Sequence, residues 1–103
     1  MLKGDGSARG DAICARLACL KALRHLNLES MQIADANVAT LAKLTELEVV
    51  SLNGNPITDE GLRHLAALPR LRWLDLGGTK VTESGVDALR RSLPNCTIYW
   101  AKH

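Results

Sequence analysis

Phenylalanine does not occur in this chain, and aromatic residues make up only 3% of its 103 positions. Any core must therefore be built from Leu, Val, Ile and Ala, side chains that fill an interior by repetition more than by bulk. The length sets one domain. Blocks of like charge are missing as well. With a formal net charge of +2 and its acids and bases interspersed, the chain lacks the basic footprint of a nucleic-acid binder or a polybasic membrane anchor. Neither nucleic acid nor membrane is an expected partner.

No apolar run approaches the ~20 residues needed to cross a bilayer, and the opening MLKGDGSARGD carries no secretory-type hydrophobic segment. Taking Met1 as the natural start, a cytoplasmic location is expected. Cys14, Cys19 and Cys96 are an odd set without C-x-x-C spacing, which favours free thiols in a reducing compartment. No metal or cofactor is expected either. On a helix Cys14 and Cys19 point to different sides, while His25 and His64 fall on opposite surfaces.

What the chain does contain is one phrase written twice: LNGNPITDEGL at 52–62 and LGGTKVTESGV at 76–86, 24 positions apart. The same shift aligns Leu23, Leu47 and Leu71; then Leu26, Val50, Leu74 and Ile98; then Leu28, Leu52, Leu76 and Trp100. It continues through Ile33, Ile57 and Val81, and through Leu41, Leu65 and Leu89. A fixed period of this length is the signature of a solenoid. Each unit reads L-x-x-L-x-L, a turn, then an apolar pattern of helical spacing such as Leu62, Leu65 and Leu68. The two glycines of LGGT occupy the turn that LNGN occupies one coil earlier, so the repeat explains them without a phosphate loop. Asp35, Thr58 or Asp59, and Thr82 are the expected helix N-caps, with Asp59, Glu60 and Glu83 suited to first turns.

The phrases ITDEGLRHLAALPRLRWLDL and VTESGVDALRRSLPNCTIYW resemble leucine-rich repeats of the 24-residue form seen in ribonuclease-inhibitor-like, F-box and many bacterial repeat proteins. The resemblance runs from about residue 11 to 100. It implies an α/β fold: a short right-handed solenoid with a parallel concave sheet of about four strands and about three convex helices. It also implies that a polar residue at the turn serves neighbouring coils. Asn55 and Thr79 fit that position and Met31 does not, while Asn37 stands where Gly61 and Gly85 give close helix approach.

Residues 1–10 read as a flexible N-terminal segment and 11–103 as the repeat domain, ending in a capping strand with Trp100 as an end plug and Cys96 as an apolar filler. Residues 11–22 read as a helix without a visible cap. Its edge, near Cys14, Leu17 and Leu20, is expected either to dock on a second copy as a homodimer or to be the cut face of a longer array.

Strand residues between the inward leucines line up in three rows across the concave sheet. His25, Val49, Trp73 and Thr97 form the first; Asn27, Ser51, Asp75 and Tyr99 the second; Glu29, Asn53, Gly77 and Ala101 the third. Small polar groups around Trp73 and Tyr99 have the composition of a protein-binding surface, with Trp73 as the anchor. His25, Asp75 and Glu29 give it titratable and mildly acidic character. Ser51, His25 and Asp75 lie on neighbouring strands, yet a regular sheet spends its N–H groups on pairing and offers no oxyanion donors. The function expected is thus a non-catalytic module that binds a protein partner through the concave sheet. The alternative is a structural or edge-docking segment of a longer array or assembly, such as a ubiquitin-ligase-like substrate-recognition arm.

Overall fold

The computed structural model describes residues 20–100. Short strands and helices alternate: β1 (His25–Asn27), α1 (Asp35–Leu41), β2 (Val49–Ser51), α2 (Asp59–Leu65), β3 (Trp73–Asp75), α3 (Glu83–Ser92) and β4 (Thr97–Tyr99). The strands form one parallel sheet in chain order, β1-β2-β3-β4. Leu26 pairs with Val50, Val50 with Leu74, and Leu74 with Ile98, which is the 24-residue register of the sequence. Pairing continues past each strand, since the N–H of Leu28 donates to Ser51 O at 2.9 Å and that of Ser30 to Asn53 O at 2.9 Å. The same bonds recur one coil on, from Leu52 to Asp75 O and from Gly54 to Gly77 O.

The fold is the α/β repeat solenoid that the period implied. Its interior is aliphatic: Leu47, Val50, Leu52, Ile57, Leu62, Leu65, Leu68, Leu74, Leu76 and Val86 belong to one continuous buried cluster. The central residue of each strand points into it and the flanking residues point out, because strand side chains alternate. Trp100 and Cys96 are partly buried against the cluster, which agrees with their reading as end plug and apolar filler, and Leu93 packs there too.

Two sets of side-chain bonds stitch coil to coil. Asn55, only 1% exposed, accepts from the N–H groups of Met31 and Ile33 at 3.0 Å each and donates to Leu28 O at 2.7 Å and Leu52 O at 2.9 Å. The apolar Met31 therefore leaves no gap in the polar ladder at the first described coil, because the next coil reaches back to fill it. Thr79 is too short for that reach. Its hydroxyl donates to Leu76 O at 2.7 Å, within its own coil.

The second stitch corrects the expected caps. Thr58 and Thr82 are N-caps, accepting from the N–H groups of Glu60 at 3.3 Å and Gly85 at 3.2 Å. Asp35 is not one. The cap of α1 is Ala34, whose N–H is held by Asn37 Oδ1 at 2.9 Å. The Asp35 carboxylate instead accepts from the N–H and hydroxyl of Thr58 at 2.8 and 2.5 Å, and Asp59 does the same for Thr82 at 2.8 and 2.6 Å. Each aspartate thus fixes the cap of the following helix.

The stitch also gives the reason for Gly61 and Gly85. A Cβ on Gly61 would sit 2.6 Å from Asp35 Oδ1, and one on Gly85 would overlap the Asp59 carboxylate. The close approach is made by the first residue of the preceding helix, Asp35 or Asp59, with Ile57 also 2.9 Å from the Gly61 position, and that is what requires glycine there. Residues 1–19, which hold the N-terminal segment 1–10 and most of the stretch 11–22 read as helix, lie outside the described residues. Residues 21–22 form a turn, with the Leu23 N–H donating to Leu20 O at 3.0 Å.

Replacing Asn55 with Ala strands the buried Ile33 N–H, the part-buried Met31 N–H and two carbonyls, a buried group costing about 1–3 kcal/mol if unpaired. We expect Asn55→Ala to lower unfolding stability by at least about 2 kcal/mol, seen as a lower urea midpoint.

Candidate protein-binding face

The sheet face turned away from the helices carries the three rows in register. His25 pairs with Val49, Val49 with Trp73 and Trp73 with Thr97; Asn27, Ser51, Asp75 and Tyr99 align in the same way. Glu29, Asn53 and Gly77 follow, because the backbone bonds at Ser30 and Gly54 extend the ladder that far. Ala101 lies outside the described residues. The structure thus brings together Trp73, Tyr99, Asp75, His25, Val49, Asn27, Ser51, Asn53 and Glu29 on one surface.

Two aromatic rings dominate this surface. Trp73 is 37% exposed and Tyr99 56%, and with Leu20 at 48% they are the exposed large apolar side chains among the described residues. Around them the polar groups are partly committed. Asp75 Oδ1 accepts from the Gly77 N–H at 2.9 Å and from Asn53 Nδ2 at 3.4 Å. Ser51, 6% exposed, lies within 3.4 Å of Glu29 Oε2, to which its hydroxyl donates. Gly77 has a packing role here: a Cβ would lie 2.7 Å from Asn53 Nδ2 and 3.4 Å from the Tyr99 ring, so its absence lets those side chains lie across the strand.

Ser51, His25 and Asp75 do not assemble into a relay. The Ser51 proton goes to Glu29, and His25 stands in the first row, in register with Val49 and not with Ser51. No group of three or more His, Cys, Asp or Glu side chains that could hold a metal ion occurs among the described residues. No described helix is long and apolar enough to cross a membrane.

A charged border that sequence reasoning missed runs just before the strands. Glu48, at 23% side-chain exposure, lies between Arg24 at 3.9 Å and Arg72 at 3.4 Å, and Glu46 pairs with Arg70 at 3.5 Å. Arg24, Glu48 and Arg72 are themselves 24 apart, a signal the repeat register already contained. On the opposite surface, α2 and α3 enclose a groove of about 420 Å³ lined by residues that include Leu62, Ala66, Ala88 and Leu89.

A parallel sheet built from one strand per coil, backed by one helix per coil, defines the class as a repeat solenoid. A family model described as leucine rich repeat matches residues 21–81, more than half of the chain. The chain belongs to the leucine-rich repeat family. Modules of this family are typically non-catalytic protein–protein interaction modules. Among solved structures it is similar to an internalin C2 from Listeria monocytogenes, at 24% identity with a TM-score of 0.57, over 85% of this chain and 48% of that one. This likeness supports the fold, and the chain spans about half of that protein's length. No curated protein sequence matches the chain significantly.

Cys96 shows the character of a filler. Burial pushes its thiol pKa above the ordinary value by penalising the thiolate. The unfolded chain therefore ionises first as pH rises, binds fewer protons than the folded chain, and stability declines through the thiol's ordinary range and above. In a variant with Cys14 and Cys19 changed to Ser, we expect iodoacetamide to modify Cys96 more slowly in the native protein than in urea at the same pH. Equal rates would contradict the burial effect.

Proposed function

We propose that this protein binds a protein partner through the concave face of its sheet, with Trp73 as the central anchor and Tyr99 beside it. The observation that carries the reading is the exposure of both rings on a strand array whose backbone is rigidly paired. Aromatic side chains bring large contact area at a low entropic cost, and the ladder beneath them is ordered before any partner arrives. Asn27, Asn53, Asp75 and Glu29 supply directional hydrogen bonds around the anchors, Ser51 serves by holding the Glu29 carboxylate, and His25 and Val49 complete the surface. Without a base-activated nucleophile in these rows, we read the module as non-catalytic. The place of action we propose is the cytoplasm, supported by the odd cysteine set and the unpaired Cys96.

The exposure of Leu20 at the N-terminal side of the sheet favours a second reading, in which this edge docks on another copy or on a further coil. If so, Leu20→Glu should shift a sedimenting oligomer toward monomer, and a wild-type chain that is already strictly monomeric removes self-docking. For the main reading, a partner captured with the intact chain is titrated against Trp73→Ala. Affinity should fall by about 2 kcal/mol or more. Unchanged affinity removes Trp73 as the anchor.

A further inference from the structure

Two carboxylates of the sheet face stand apart from six other acidic groups among the described residues. Glu46, Glu48, Glu60 and Asp87 each pair with an arginine, and Asp35 and Asp59 are spent on threonines. Glu29 and Asp75 pair with no basic side chain among the described residues, and both lie in the rows of the candidate face. The chain's own Arg24, Arg63, Arg70, Arg72 and Arg90 are engaged elsewhere.

Asp75 is the more organised of the two. Its Oδ1 is held by the Gly77 N–H, while Oδ2 makes no bond to any described residue. Trp73 precedes it by two positions on the same face, and Tyr99 is its Cα partner on the next strand. With strands ~4.8 Å apart and alternate residues roughly 6.6 Å apart along a strand, both rings border the carboxylate.

We propose that this corner is a seat for an arginine side chain of the protein partner, its guanidinium paired with Asp75 and stacked on Trp73 or Tyr99. A planar cation with donors along its edge satisfies a carboxylate and an aromatic face together, which a compact, strongly hydrated ammonium does less well. Because Oδ1 already fixes the carboxylate, little side-chain entropy is lost on binding. The seat rests on the reading of this face as the binding surface.

The test is a selection of random linear peptides against the intact 103-residue chain, with each selected peptide then titrated against Trp73→Ala, Asp75→Asn and Glu29→Gln. Asparagine at 75 keeps the acceptor for the Gly77 N–H, and an unchanged urea midpoint certifies its fold. The expected result is enrichment of Arg over Lys in Trp73-dependent peptides, with a loss of about tenfold or more on Asp75→Asn and less on Glu29→Gln. Trp73-dependent peptides that lack arginine, accept Lys equally, or bind Asp75→Asn undiminished overturn the seat and leave the binding face standing. Absence of any Trp73-dependent peptide overturns both.

Discussion

Parallel pairing of one coil's strand with the next, held in 24-residue phase, is the constraint on which everything else in this molecule depends. A strand of three residues with a helix of seven cannot shelter its own apolar side, so each coil uses its neighbours as walls. Val50 and Leu74 are buried because coils stand on both sides of them, whereas Leu23, Leu26 and Trp100 near the ends are only partly covered. With no phenylalanine to span gaps, the interior depends on many aliphatic side chains meeting in register.

Polar stitching follows the same phase. Asn55 completes backbone groups of the preceding coil, and Asp35 and Asp59 hold the caps of the following helices. These bonds bear on helix orientation as much as on stability, since a cap threonine gripped at both N–H and hydroxyl fixes where its helix begins. The glycines at 61 and 85 are the corresponding sacrifice of side chain. Where the residue differs, the bond pattern differs: Asn37 turns its amide to Ala34, and Thr79 stays within its own coil.

A sheet held this firmly presents its outward residues in fixed rows, and that is its functional consequence. Trp73, Asp75 and Tyr99 are neighbours only because three strands share one register. The helix side, with ion pairs such as Arg63–Glu60 and Arg90–Asp87, has the mixed charge of a solvated exterior. Its groove lies between α2 and α3.

Period, strand positions, inward residues and row membership were all legible in the chain, because each is a matter of spacing: Leu26, Val50, Leu74 and Ile98 needed no coordinates to be matched. Thr82 could be read as a cap for the same local reason, whereas the choice between Thr58 and Asp59 waited on the structure. What only the tertiary structure decided is who bonds to whom between coils: that Asp35 serves Thr58 and not its own helix, that Asn55 serves Met31 and Ile33, and that Asp75 leaves one oxygen without a partner among the described residues. Spacing fixes which residues stand side by side. The direction in which a short polar side chain spends its hydrogen bonds depends on distances of a few tenths of an ångström across the stack, and these exist only once the coils have docked.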